Sequence, residues 1–298
     1  MTADLVARLL DGDKRALSRI LSFVENGYAE GREAMKALFG HTGHAHIIGM
    51  TGPTGSGKST LVGALAGEYR TRDRTVGIVA VDPTSPFSHG AVLGDRIRMQ
   101  ELTSDPGVFI RSMATRGALG GLASTTSDVT TVLDAAHKDI IIVETVGAGQ
   151  DEVEVADTAH TTVVISVPGA GDEVQAIKAG ILEIADILVV NKADQQRAEL
   201  TARQLHIFLD LNRDEGWEVP ILKTVAIRGR GVVELADAID RHRTFLESSG
   251  RLEEARRQRA RRQLLALAGA ELLSRVLASA EANGSLEELV ESIAQRKL

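Results

Sequence analysis

The chain has 298 residues, sets 34 Lys and Arg against 41 Asp and Glu, and contains no cysteine. Its length allows one large core, its formal charge of −7 gives no bulk attraction to nucleic acid or an anionic membrane, and the lack of cysteine excludes disulfides, thiolate metal sites and thiol catalysis. With 43% hydrophobic but only 3% aromatic residues, the core must be packed mainly with Leu, Ile, Val and Ala.

Along the chain, Leu5, Leu9, Leu17, Ile20, Leu21 and Val24 recur at helical spacing, followed by Ala34, Leu38 and Phe39. Residues 1–41 therefore read as a helical extension capping the main domain. The N-terminus has acidic Asp4 and no basic lead before a long apolar run, unlike a secretory signal. No stretch reaches the ~18 apolar residues that span a bilayer, so a soluble, cytoplasmic protein is expected.

Short unalternating Val/Ile runs then appear at Ile47–Met50, Val76–Val81, Val108–Ile110, Ile140–Val143, Val163–Val167, Ile187–Val190 and Val219–Leu222, with helical stretches between them. That pattern is a parallel sheet buried on both faces. Residues 42–247 are thus expected to form an α/β domain with a mostly parallel central sheet flanked by helices, which the motif Gly52–Ser59 at the end of its first strand assigns to the P-loop NTPase class. Beyond Ser248-Ser249-Gly250 a charged and then Leu- and Ala-rich helix follows. Asn283-Gly284 breaks it, and Ser285 is placed to cap a last helix, giving a helical arm over 248–298.

The first strand runs into Gly52-Pro53-Thr54-Gly55-Ser56-Gly57-Lys58-Ser59, which matches G-x-x-x-x-G-K-[ST] between a strand and a helix. The backbone must curl with its N–H groups turned inward around phosphates, and glycine tolerates the dihedrals required. Lys58 is expected to reach the β- and γ-phosphates, Ser59 to ligate Mg²⁺, and Thr54 and Thr60 to complete the nucleotide contacts. The helix starting near Lys58 adds the positive end of its dipole.

After the Ile187–Val190 run comes Asn191-Lys192-Ala193-Asp194, the place and pattern of an N-K-x-D base loop. A carboxylate at Asp194 can accept from N1–H and N2–H₂ of guanine, a donor pair that adenine lacks. Asn191 would hold neighbouring loops together and the Lys192 stem would lie along the base; Asp194 could instead cap the following helix.

Glu144-Thr-Val-Gly147 occupies the D-x-x-G position with Glu for Asp. Glu144 should hold Mg²⁺ through a water, and the Gly147 N–H should meet the γ-phosphate. The Pro-, Gly- and Ser-rich stretch from Asp82 to Arg96 suits a switch loop, with Asp82 and Asp95 as candidate metal ligands and helix capping or turn formation as the alternative for each. Asp82 and Gln150 both remain candidates for positioning the attacking water. GTP and GDP are the expected substrate and product, and Mg²⁺ the cofactor.

These segments carry a family resemblance. Ala80-Val-Asp-Pro-Thr-Ser through Leu93-Gly-Asp-Arg-Ile-Arg-Met99, Arg116 to Gly121, Glu144 to Gln150, and Val167-Pro-Gly-Ala-Gly-Asp-Glu173 running on to Asp194 resemble the MeaB-type GTPases, also called the ArgK type. The resemblance spans most of residues 15–245. It implies a metallochaperone that gates adenosylcobalamin loading and protection of an acyl-CoA mutase, above all methylmalonyl-CoA mutase. It also implies contact with a cobalamin adenosyltransferase, homodimers with a contribution from the C-terminal arm, and cobalamin only through the partner. It further implies a switch over Pro168–Lys178 in which Asp172, Glu173 and Lys178 signal nucleotide state. His89 stands where the family usually has Gly, Arg96 where Lys is common, and Val225 where Ser is frequent; the resemblance implies that the loop from Thr224 to Gly231 supports guanine through backbone atoms of Val225 and Ala226.

Alternatives from other classes are a P-loop kinase phosphorylating a transport-related protein or other acceptor, a nickel-enzyme maturation GTPase, and a non-catalytic GTP-dependent module. His41, His44 and His46 cluster before the first strand, on an approach loop of a kind that rarely supplies the convergent geometry a metal needs. The basic run Arg251, Arg256, Arg257, Arg259, Arg261 and Arg262 reads as a solvated helix face or as a surface for an acidic partner. Leu264, Leu267, Leu272 and Val276 form either a dimer stripe or a face packed on the core.

Overall fold

The computed structural model describes residues 2–82, 100–114, 121–145, 151–169, 182–211 and 216–297. Seven strands, β1 (His46–Thr51), β2 (Val76–Asp82), β3 (Val108–Ala114), β4 (Ile140–Glu144), β5 (Thr161–Ser166), β6 (Ile187–Val190) and β7 (Ile221–Lys223), form one sheet in the order β3-β2-β4-β1-β5-β6-β7. Each neighbouring pair is parallel. All seven expected runs are strands, but only β6 keeps both expected ends; β5, for example, stops at Ser166 rather than Val167, and β7 starts at Ile221 rather than Val219.

β1 lies between β4 and β5, so the chain winds to one side of β1 through β2, β3 and β4, then crosses to the other. Crossing at β1 opens a crevice at the ends where the parallel strands finish, the usual ligand position in open α/β sheets. The helix α4 (Lys58–Thr71), preceded in chain order by α1 (Thr2–Leu10), α2 (Lys14–Glu25) and α3 (Ala29–Leu38), leaves β1 there. It buries Leu61, Val62, Leu65, Ala66 and Tyr69, one helical face, against β1, β2 and β4.

Further helices are α5 (Gln100–Thr103), α6 (Gly121–Ala135), α7 (Asp151–Thr158), α8 (Ala198–Leu211), α9 (Val232–Ser248), α10 (Arg251–Ala282) and α11 (Ser285–Ala294). One apolar cluster joins the strands to α4 and α9. A second lies on the opposite face, where Leu5, Leu9, Leu17, Ile20, Leu21 and Leu38 pack with Val79, Val81, Phe109 and α6. The N-terminal helices thus complete the covering of the sheet. Arg111 of β3 locks them on, donating to Glu25 at 2.7 Å through Nε, with both side chains largely buried.

α10, at 32 residues, is ~48 Å long. Leu264, Leu272 and Val276 are 66%, 64% and 62% exposed, which disposes of packing on this chain's core for those three; the Leu267 side chain lies outside the description. Two arginines of the basic run do not form a solvated face. Arg256 donates to Gly43 O at 2.9 Å, and Arg259 donates to Ala159 O at 3.1 Å, fastening the arm's root to the domain. The last helix is capped differently from expectation. Gly284 takes the cap position at φ 75°, and Asn283 Oδ1 accepts from the Ser285 N–H at 3.0 Å. Among the described residues no helix is long and apolar enough to cross a membrane.

Candidate nucleotide site

The ends of β1, β4, β6 and β7 bring the expected side chains to one crevice. Gly52 leaves β1 at φ 146°, and a Cβ there would lie 2.2 Å from Ile165 O on the neighbouring strand. Any larger residue must push β1 and β5 apart. Gly52→Ala is expected to cost about 2–5 kcal/mol from strain and overpacking, read as a lower urea midpoint; an unchanged midpoint would refute this account of the loop. Gly57 at φ 87° begins α4, and a Cβ there would meet Asn191 Nδ2 at 2.5 Å.

Lys58 is 6% exposed, and its Nζ donates to Gly52 O at 2.8 Å and Pro53 O at 3.0 Å. The ammonium is therefore folded back into the loop that would hold the phosphates. Ser59, one residue on, donates its hydroxyl to Glu144 Oε1 at 2.6 Å, with both side chains buried. The sequence separates them by 85 positions, and the β1–β4 pairing brings them together. A hydroxyl beside a carboxylate is an all-oxygen donor set of the hard kind that Mg²⁺ selects, so the residues present fit that ion. Thr54 and Thr60 are exposed at the mouth of the loop, whereas Ser56 is fully buried.

Asn191 is the hub of the crevice. It is 2% exposed; its Nδ2 donates to Ser56 O at 2.8 Å, and its Oδ1 accepts from Thr224 Oγ1 at 3.0 Å and from the Ala226 N–H at 3.3 Å. One buried amide thus ties together the phosphate loop, the base loop and the loop after β7. Thr224 as the hydroxyl partner was missed by the sequence analysis, since no local signal marks a contact across 33 residues. Lys192 takes a left-handed backbone at φ 55°, uncommon outside glycine, and its Nζ donates to Gly55 O at 2.8 Å. Its stem consequently bridges the base and phosphate loops. Asp194 is exposed and α8 begins only at Ala198, so its carboxylate is not spent on capping. Val225 is 3% exposed and its N–H donates to Arg230 O at 2.9 Å; it shapes the loop and leaves Ala226 nearer the crevice.

Asp82 ends β2 at the same side of the sheet, its side chain outside the description. Asp95, Gly147, Gln150, Asp172, Glu173 and Lys178 lie outside the described residues. His41, His44 and His46 do not assemble. His46 is buried with Nε2 2.8 Å from Thr161 Oγ1, and no group of three or more metal-binding side chains occurs among the described residues.

The match with known proteins agrees with this geometry. The model of the "Methylmalonyl Co-A mutase-associated GTPase MeaB" family matches residues 17–281. The chain belongs to the MeaB family of P-loop GTPases. A Pyrococcus abyssi relative with a provisional GTPase name is 49% identical over 302 residues, spanning 100% of this chain and 93% of its own. The methylmalonic aciduria type A homolog of Mus musculus, a mitochondrial protein, is 32% identical over 85% of this chain and 65% of its own. Among solved structures, a "LAO/AO transport system kinase" superposes with a TM-score of 0.77 at 25% identity, covering 100% of this chain and 93% of that one.

In this MeaB-family chain, Ser59 and Glu144 form a buried polar pair beside the phosphate loop. Glu144→Gln keeps an oxygen to accept from Ser59 and removes the charge. Stability should change little, while the Mg²⁺ concentration for half-maximal GTP turnover should rise ~10- to 100-fold. An unchanged Mg²⁺ dependence would remove Glu144 from the metal site.

Proposed function

We propose that this MeaB-family GTPase hydrolyses GTP with Mg²⁺ as a timing switch, and that the switch serves an adenosylcobalamin-dependent acyl-CoA mutase. The observation carrying the hydrolytic part is the convergence of Lys58, the Ser59–Glu144 pair and the Asn191 hub on one crevice. Lys58 neutralises charge on the β- and γ-phosphates, Ser59 holds the metal, and Glu144 holds one of its waters. Mg²⁺, held by Ser59 and through a water by Glu144, would supply positive charge that offsets the charge of the phosphates. Asp194 reads the guanine edge, with the Lys192 stem along the base face. Asp82 or Gln150 positions the attacking water, and Asp95 adds a metal ligand.

The chaperone part is supported by the family's description and by the mouse relative's name. Asp172, Glu173 and Lys178 carry the nucleotide state outward, and a cobalamin adenosyltransferase is the upstream partner. The exposed Leu264, Leu272 and Val276 pair two copies into a homodimer. The setting is cytoplasmic, and unassisted turnover is slow because no arginine finger is fixed by motif.

The test is capture from the organism's own extract on immobilised protein, with Mg²⁺ and either GDP or a non-hydrolysable GTP analogue. A cobalamin-dependent mutase retained in one nucleotide state supports the reading. Retention of no mutase in either state sinks the chaperone role and leaves the GTPase. The name of the transport-kinase structure favours one other reading, transfer of the γ-phosphoryl group to a protein. Labelled γ-phosphate appearing on an acceptor rather than as free phosphate would establish it.

A further inference from the structure

At the opposite side of the sheet, where the parallel strands begin, lies a cavity of about 920 Å³ that no nucleotide residue lines. Asp186, directly before β6, sits in its wall with Trp217, Phe245, His242, Leu209 and Leu182. One carboxyl oxygen, Oδ2, accepts from the Thr162 N–H at 2.7 Å, and Oδ1 faces His242 Nε2 at 3.4 Å. A third of the Asp186 side chain is exposed.

His242 is held elsewhere. Its Nδ1 is 2.9 Å from Thr161 Oγ1, which also meets His46 Nε2. Burial pushes the His242 imidazole down to about 4 and the Asp186 carboxyl up to about 7, so the ring supplies no positive charge at neutral pH. The Trp217 and Phe245 ring centroids are 5.3 Å apart, and the Arg251 guanidinium lies over the Phe245 ring at 5.3 Å. The aromatic wall therefore already accepts a guanidinium on its rim side. Glu183 and Glu218 add negative potential to the lining, where Arg251 is the only Lys or Arg among the described residues.

We infer that this cavity binds an organic cation, an ammonium or guanidinium group received by the Asp186 carboxylate beside the rings of Trp217 and Phe245. A carboxylate desolvated without a permanent counter-charge gains most from such a ligand, and the ring faces add cation–π attraction. Asp186 also staples β5 to β6, since its N–H donates to Thr162 O at 2.9 Å while its carboxyl accepts from the Thr162 N–H. Asparagine preserves that staple and removes the charge.

Trp217 is the sole tryptophan, so intrinsic fluorescence reports on the cavity directly. The full chain would be titrated with N-acetylarginine methylamide and with the neutral N-acetylcitrulline methylamide at matched ionic strength. The expected result is a saturable change with the arginine compound and at least ~10-fold weaker response to citrulline. Asp186→Asn should abolish the arginine response while the melting temperature and GTP turnover stay at wild-type values. Phe245→Leu, which keeps the charge, should weaken binding several-fold, and it carries the test if Asp186→Asn folds poorly. Free L-arginine distinguishes sources: tighter binding than the blocked compound assigns the site to a free amino acid, weaker binding to a side chain of a protein partner. Equal responses to arginine and citrulline compounds, or an undiminished response in folded Asp186→Asn, would overturn the inference without touching the GTPase site.

Discussion

Replacing Lys58 by alanine is expected to lower GTP turnover ~100- to 1,000-fold, the usual scale for removing a preorganised charge from a developing anion. Lys58 is buried, and its ammonium donates to the carbonyls of Gly52 and Pro53. Both bonds stay within the phosphate loop, and the one to Pro53 is only part-buried. The fold should therefore survive, and the melting temperature should change far less than the activity. Single-turnover hydrolysis with saturating GTP and Mg²⁺ separates loss of chemistry from loss of binding. Turnover within a few-fold of wild type would show that the phosphates lie elsewhere.

Asp194→Asn should exchange guanine for xanthine. The carboxylate accepts from two guanine donors, N1–H and N2–H₂; an asparagine turns at least one donor toward them. A site built around hydrogen bonds rejects a mismatched partner strongly, so GTP affinity should fall ~100-fold or more. Xanthine carries an oxygen where guanine carries N2, and the new amide can donate to it. XTP should then be hydrolysed better than GTP by the variant. Asp194 is exposed, so the exchange should leave the melting temperature close to wild type. Competitive displacement of a fluorescent GDP by GTP and XTP measures it. A variant that keeps GTP affinity would show that Asp194 does not read the base.

Most of this fold was legible from local pattern. Seven Val/Ile runs gave seven strands because strands buried on both faces leave no room for polar alternation. The Gly52–Ser59 motif was legible for a similar reason. Dihedrals such as φ 146° at Gly52 and 87° at Gly57 demand glycine, so the geometry writes itself into residue type. Asn191 was legible as a residue that holds neighbouring loops together, and it donates to Ser56 O; Lys192 beside it reaches Gly55 O, a bond the local pattern did not announce.

What local pattern could not give were contacts that depend on strand order. Ser59 and Glu144 were each named as metal-site residues, but their direct bond at 2.6 Å follows from β4 lying next to β1. Thr224 reaches Asn191 only because β7 is added beside β6. The arm's arginines looked alike in sequence, yet Arg256 and Arg259 are fastened to Gly43 O and Ala159 O, while Arg257 and Arg261 stay exposed. The Asp186, Trp217 and His242 cavity had no motif at all, because each residue comes from a different element and none is spaced from the others by a local period.

The sequence by itself determined the class of sheet, the phosphate loop and the base-reading loop, since each is a short segment whose backbone or burial restricts the residues it can hold. Only the tertiary structure decided which side chains meet across the crevice, how the arm's root is fastened and where the second cavity lies, because those contacts arise from the order in which distant strands pair.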